Sequence, residues 1–482
     1  MSVPNTISQI SSDLGAVSGG AFTASEPETG TGSQTYQQIL YPTLGLPDNI
    51  LREILLEWHR LGPQKPVQPP EQPKIKFTDS LDTTLPQWVY AQVCRSWRQA
   101  AFSCKALWTR LGILMPGPDE PEGRKIAMIH NLNSLLRWLG DLPLKVKIKS
   151  YHPFAPDDIL FTTICSSSSR WEMLRLALHF EEVDVLQNIL LSLGARMPQV
   201  PLLHSLSLDF MSKLPSGIDT FLNVSNLRRV DVGGKLYDTH RSLEIPWNQI
   251  TEYRRLCDEF GDSASEEHLM KMPNVVSYCD AAFSCSSGSP IPLPHLQVMK
   301  LSIGPMVPLD FGRLELGNHF TEFRLRSRCS SNKLLWSDSL VLSLHRWGCS
   351  LQTLYLDSCA ISESKMILVF EHLTALRSLV FLYRQTLKSN LIGALANVKL
   401  LPHLYHLALD GHFGFMRDDM VKMLSARMIQ GDSVFRKFGL PSSRIAFFAK
   451  DLECFREQGL EVESTRDTYK WNDWVGPQEL ED

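Results

Sequence analysis

Ten cysteines and fourteen histidines are the residues from which a metal site or an activated nucleophile could be built. A zinc site needs such ligands in closely spaced pairs that can close on one ion. Cys94, Cys104, Cys165, Cys257, Cys279, Cys285, Cys329, Cys349, Cys359 and Cys454 contain no Cys-x-x-Cys pair and stand at no zinc spacing from histidine. Most adjoin leucines or aromatics, where a free thiol behaves as a small buried hydrophobe. His204, His295, His403 and His406 fall within or beside strand-like stretches, where a structural or solvated role is expected. No phosphate loop, dinucleotide fingerprint, His-Glu-x-x-His or Gly-x-Ser-x-Gly motif is present. The pair Asp418 and Asp419 opens a helical pattern, where carboxylates complement the helix dipole, and reads as a stabilising feature. The sequence therefore predicts no catalytic residue, no metal, no cofactor and no enzyme activity.

Binding is the chemistry that remains. The formal net charge is −4, with 21% charged and 43% hydrophobic residues. That balance argues against a nucleic-acid partner, which requires clustered Lys and Arg. In "LKVKIK" at 144–149 lysines alternate with apolar residues, as on the outward face of a strand. No run approaches the ~18 apolar residues of a bilayer span, so no membrane partner is expected. The first twenty residues lack the basic start and apolar core of a signal peptide. With unpaired cysteines, this predicts a reduced compartment, cytoplasmic or nuclear, and leaves the sequon at Asn223 unused.

The elements that would position a binding surface are repetitive. A hexapeptide apolar-x-x-apolar-x-apolar recurs as "LHSLSL" from Leu203, "LRRVDV" from Leu227, "LQVMKL" from Leu296, "LQTLYL" from Leu351, "LRSLVF" from Leu376 and "LYHLAL" from Leu404. Weaker copies start at Trp171, Ile250, Val275 and Phe320. Successive copies lie 21 to 32 residues apart, mostly within the ~20–29 window of leucine-rich repeats. The last two apolar positions share one strand face, and the first turns in from the approach. No copy can bury its three apolar groups alone, so neighbours must stack. Helix-like returns such as 182–196 and 388–398 imply a parallel sheet. "LPLKVKI" at 142–148 is a candidate leading strand and "GLEVES" at 459–464 a closing one. Residues between the inward leucines then face outward in a row: Arg229 and Asp231, Arg324 and Arg326, Tyr355 and Asp357, His406 and Asp410. This mixture of charge and aromatic suits an unknown protein substrate.

The N-terminal segment, residues 1–113, differs. Residues 1–35 are polar and small, which predicts disorder. Ile50, Leu51, Ile54, Leu55 and Trp58 then make an amphipathic stripe. The proline-rich stretch 63–76 reads as a solvated loop. Val89, Val93, Trp97 and Ala100 line a second helical face, and Leu107, Trp108 and Leu111 a third short element. Such a unit exposes more apolar surface than it can hide internally. It either caps the repeats or binds a helical partner.

The ordered set "LPDNILREIL…VCRSWRQAAFSCKALWTRL" resembles an F-box. Leu46, Pro47, Ile50, Leu51, Ile54, Val93, Cys94, Arg95, Trp97, Leu107 and Trp108 match its pattern. The wider layout is similar to the large F-box families of mushroom-type fungi, although the insertion at 63–76 makes this box longer than the common form. The resemblance implies a small all-α F-box domain at 40–113, followed by an α/β leucine-rich-repeat solenoid at 124–470. It implies that Leu46, Pro47, Ile50, Leu51, Ile54, Val93, Cys94, Trp97, Leu107 and Trp108 bind a Skp-type adaptor. Through the adaptor the chain would join a cullin in an SCF ubiquitin ligase, with the repeats holding substrate. The alternative is an F-box-like scaffold acting outside any ligase.

Overall fold

A computed structural model describes residues 48–61, 79–82, 86–196, 200–212, 218–234, 243–255, 265–281, 283, 288–303, 310–327, 337–359, 361–429 and 434–465. The expected tail at 1–35, the insertion at 63–76, and Leu46 and Pro47 lie outside these. The chain divides into two compact units, the first ending at Leu203 and the second beginning at His204.

The first unit begins with α1 (Asp48–Leu61), α2 (Pro86–Val93) and α3 (Arg95–Ser103), then a 3-10 turn over Lys105–Trp108. The α1 stripe points Leu51 and Leu55 inward, at 1% and 0% exposure, while Ile54 is half-buried. Cys94 is extended (φ −159°, ψ 175°) and separates α2 from α3. This break interrupts the 3.6-residue period expected from Val89 to Ala100. Trp97 and Ala100 are buried, whereas Val89 and Val93 are exposed.

Trp108 holds this unit together. Its ring meets Trp88 edge-on at 4.8 Å, stacks on Phe102 at 5.5 Å and meets Trp138 at 5.7 Å. Its indole Nε1 donates to the Ala101 carbonyl at 3.0 Å. Aromatic pairs in these geometries add to simple area burial.

The third element is not helical throughout. Leu111 lies on β1 (Arg110–Leu114), which pairs in parallel with β2 (Leu144–Ser150). Leu107, Trp108 and Leu111 satisfy a helical spacing, but so short a run does not separate helix from strand. Leu111 and Ile113 instead alternate inward with period two. A domain boundary at 113 would cut this strand, so the helices at 48–108 are not an isolated all-α body. Beyond β1 come α4 (Glu122–Leu139), which carries Trp138, then α5 (Ile159–Cys165), β3 (Trp171–Leu178) and α6 (Val183–Arg196). β3 pairs in parallel with β2, which was expected to lead the sheet but follows β1 there.

The second unit is built on a long parallel sheet. Its strands are β4 (Ser205–Phe210), β5 (Arg229–Gly234), β6 (Glu252–Arg255), β7 (Ser277–Asp280), β9 (Val298–Ile303), β11 (Glu322–Ser327), β12 (Thr353–Asp357), β13 (Ser378–Leu387), β14 (His406–Phe413), β15 (Lys437–Leu440) and β16 (Glu461–Ser464), hydrogen-bonded in that order. Two short strands, β8 (Ile291–Leu293) and β10 (Leu314–Leu316), pair only with each other. Parallel neighbours need crossovers. Among the described residues these include α7 (Ser265–Lys271), α8 (Ser337–Trp347), α9 (Glu363–Phe370), α10 (Ser389–Ala396), α11 (Arg417–Ile429), α12 (Ser442–Phe447) and α13 (Ala449–Glu457).

All ten hexapeptides sit on strands and their approaches. The first apolar residue of each is at most 1% exposed, from Trp171 and Leu203 to Leu404. The two weakest copies are explained by pairing. At their third inward position they carry Arg255 and Asp280 instead of leucine, and register places these two side by side. Both are buried, with Arg255 Nε 3.7 Å from Asp280 Oδ1. The Tyr278 hydroxyl donates to Asp280 Oδ2 at 2.9 Å. A buried charge is tolerable when paired and hydrogen-bonded, so the polar pair replaces two leucines without breaking the stack.

Candidate functional site

Strand register assembles the open face of the second unit into rows. One runs Ser207, Asp231, Arg254, Cys279, Lys300, Arg324, Tyr355, Val380, Ala408, Gly439 and Glu463. A second, two residues earlier, includes Arg229, Glu252, Glu322, Ser378 and His406. A third holds Arg326, Asp357, Leu382 and Asp410. All eight residues expected to face outward therefore share this face.

Their environments differ from a row of solvated side chains. Arg229 Nε lies 3.2 Å from Asp231, Arg324 Nε 2.6 Å from Glu322, and Arg326 Nε 3.1 Å from Asp357. Asp410 accepts a hydrogen bond from Thr465 Oγ1 at 3.0 Å. Tyr355 and His406 are buried, at 3% and 7% exposure. Tyr355 sits in an apolar cluster with Val380 and Ala408, edged by Leu382. Burial and the neighbouring Asp357 push its phenol above the usual range. Alternation put Tyr355 and His406 on the correct face, but cross-strand neighbours decide their exposure, and those follow from register rather than local sequence.

His406 also lies at the centre of a hydrogen-bonded chain. Its Nδ1 is 2.9 Å from Ser378 Oγ and its Nε2 is 3.0 Å from Glu463 Oε1. Lys437 Nζ shares the same carboxylate at 2.7 Å. A serine, histidine and carboxylate in contact invite comparison with acyl-transfer triads, whose chemistry also needs amide donors aimed at a developing oxyanion. Here the amides of Arg377 and Ser378 donate to the Gln352 carbonyl, and those of Tyr405 and His406 to the Arg377 carbonyl. The ladder consumes the nearby donors. The chain instead ties β13, β14 and β16 together across the open face. Ser378 and Glu463 lie within the hexapeptide from Leu376 and the closing stretch 459–464 but were not selected as site residues, since only register brings them to His406.

Burial holds the His406 imidazole below its ordinary value of 6.5, against the pull of Glu463. With a lower folded than unfolded pKa, the unfolded chain binds the proton first. The contribution to stability is therefore full above about pH 6.5 and is lost as pH falls through the folded pKa. Melting temperature is expected to drop between pH 7.5 and pH 5.5, and to drop less in His406→Gln. Equal drops in the two proteins would show that His406 carries none of the dependence.

In the first unit, the residues assigned to adaptor binding divide into two groups. Leu51, Trp97, Leu107 and Trp108 are turned into the unit's own core, at 7% exposure or less. Ile54 and Cys94 are half-buried. Ile50 and Val93 are 41% and 43% exposed, and Val89, which did not enter the assigned set, is 44% exposed. The amphipathic pattern marks all of these as apolar without saying which face a small unit keeps for itself.

Among the described residues, no group of three or more His, Cys, Asp or Glu side chains could hold a metal ion, and no helix is long and apolar enough to cross a membrane. No protein-family model matches the chain, and no curated protein matches it. A chain in the solved structure of the Toll–Spatzle complex, a molecular hub in Drosophila development and innate immunity, is similar over 64% of this chain and 44% of its own, at 12% identity and a TM-score of 0.32. This chain thus spans less than half the length of that one.

Proposed function

We propose that this chain is a non-enzymatic substrate receptor of an SCF-type ubiquitin ligase in the cytosol or nucleus. In this reading α1 to α3 and the turn after them form an F-box that binds a Skp-type adaptor, and through it a cullin. The hexapeptide strands with their helical returns are leucine-rich repeats, and the open face of their sheet takes a protein substrate. The family assignment rests on the ordered motif from Leu46 to Trp108. The observation that carries the adaptor reading is the separation of apolar side chains on these helices. Leu51, Leu55, Trp97 and Trp108 supply the unit's core, which leaves Ile50, Val89 and Val93 as surplus apolar surface suited to a helical partner. A scaffold outside any ligase would use the same open face but would recover no cullin.

The experiment is binding of a purified Skp-type adaptor to the native chain and to Ile50→Asp/Val93→Asp. Both sites are exposed, so thermal stability should stay within roughly 0.5 kcal/mol per site. Removing two apolar contacts from an interface, at roughly 1.5 kcal/mol or more each, should weaken binding at least tenfold. Unchanged affinity in the folded double variant would overturn this adaptor face. Capture of adaptor without cullin from cells would favour the scaffold.

A further inference from the structure

On the open face, β7 contributes only the short side chains of Ser277 and Cys279, and its neighbours place Arg254 and Lys300 on either side of Cys279. Register continues that row to Arg324 on β11. Neighbouring strands stand about 4.8 Å apart, so three cations share one row across four adjoining strands. Cys279 is 3% exposed, and burial pushes its thiol up to about 12. It therefore forms a neutral floor between two cations.

The carboxylates of this face are engaged on either side of Lys300. Asp231 is held by Arg229 at 3.2 Å and Glu322 by Arg324 at 2.6 Å, each arginine lying on the same strand as its partner. Among the described residues the Lys300 ammonium has Glu322 alone, at 3.9 Å, which is beyond hydrogen-bond reach. It is 26% exposed, so it loses part of its hydration without gaining a bonded acceptor. Burial lowers its pKa, the repulsion of Arg324 lowers it further, and the pull of Glu322 comes after both. A further negative charge beside Lys300 would stabilise its ammonium.

We propose that the open face takes an acidic segment of a protein partner, with one Asp or Glu carboxylate seated over Cys279 between Arg254 and Lys300 and a second beside Arg324. The carboxylates already present set the extent of that segment. Asp231 on β5 and Asp357 on β12 bound the cations on their two sides, so a stretch of two or three acidic residues fits. The continuous charge of a nucleic-acid backbone would instead meet Asp231, Glu252, Glu322 and Asp357. The assignment rests on the open face being a protein-binding surface, and it holds whether or not the chain works in a ligase.

The test is selection of random dodecapeptides from a displayed library on the full-length chain, followed by fluorescence anisotropy of the most enriched peptide. Enriched peptides should carry adjacent Asp or Glu residues. Binding should weaken about tenfold in Lys300→Gln and further in Lys300→Glu, and persist in Lys300→Arg. Lys300 is the position to change because replacing Arg324 would also release Glu322. Melting temperature and adaptor binding should stay as in the native chain. Enrichment of no peptide, or equal binding to the native chain and Lys300→Glu, overturns the inference. Neutral peptides whose binding falls in Asp231→Lys/Asp357→Lys would overturn the acidic partner and keep the open face as the binding surface. Peptides indifferent to every open-face variant would overturn both. Displacement of the peptide by a single-stranded oligonucleotide at lower concentration than by the unlabelled peptide also overturns the inference, because the row would then be a nucleic-acid site.

Discussion

Arg427→Ala is expected to destabilise the second unit by roughly 3–5 kcal/mol, because it takes the donors away from several buried backbone carbonyls at about 1–3 kcal/mol for each left unsatisfied. Arg427 is 2% exposed on α11. Its Nε donates to the Leu395 carbonyl at 2.7 Å, Nη1 to Leu401 at 2.9 Å, and Nη2 to Leu400 at 2.6 Å and Asn397 at 3.2 Å. These carbonyls belong to the end of α10 and the turn after it, where Leu401 adopts a positive φ of 53°. Helix-end carbonyls have no partner within the helix, and a non-glycine residue at positive φ persists only where surroundings impose it. One guanidinium satisfies the group. Burial lowers its pKa to about 10, still far above neutrality, so it stays charged. Arg427→Lys is expected to restore only part of the loss, because a single ammonium cannot span four acceptors in a planar fork. Urea denaturation of the three proteins checks this. A full rescue by lysine would mean that charge alone matters at the site.

Trp108→Ala should cost a similar ~3–5 kcal/mol, the usual range for removing a buried tryptophan from a core. Trp108 is 2% exposed and touches rings from α2, α3 and α4. Its loss is therefore expected to loosen the helices together, seen as a lower melting temperature and weaker near-ultraviolet dichroism. Trp108→Phe should recover part of the packing but not the hydrogen bond to Ala101. If Trp108→Ala melted like the native chain while losing adaptor binding, the side chain would be an interface residue and the core described above would be wrong. The two variants lie in different units, so their effects should add.

The sheet of the second unit was legible because its signal is local and repeated. Leu203, Leu227, Leu296, Leu351, Leu376 and Leu404 each begin a period-two pattern, and a chain that must bury the same three positions again and again has few options besides stacking. The strands at Glu461–Ser464 and Leu144–Ser150 were visible for the same reason, but the latter does not lead the sheet, since β1 precedes it. Residue type and alternation were enough to place Arg229, Asp231, Arg324, Arg326, Tyr355, Asp357, His406 and Asp410 on one face. What lies beside each of them was not encoded within any six residues. The contact of Ser378 with His406 spans 28 positions, and that of Thr465 with Asp410 spans 55. Such pairs exist only once parallel strands take their register.

The same limit governed the helical segment. Apolar spacing identified Ile50, Leu51, Ile54, Val93, Trp97, Leu107 and Trp108, but it assigned Leu111 to a helix when β2 draws it into a strand. It also could not separate Leu51, which the unit buries, from Ile50, which it leaves exposed. Adjacent apolar residues on a helix lie about 100° apart around its axis, so both belong to one broad stripe. Which edge of that stripe meets the core is settled by where Trp108 and its ring partners come to rest, and that position depends on side chains from four separate segments of the folded unit.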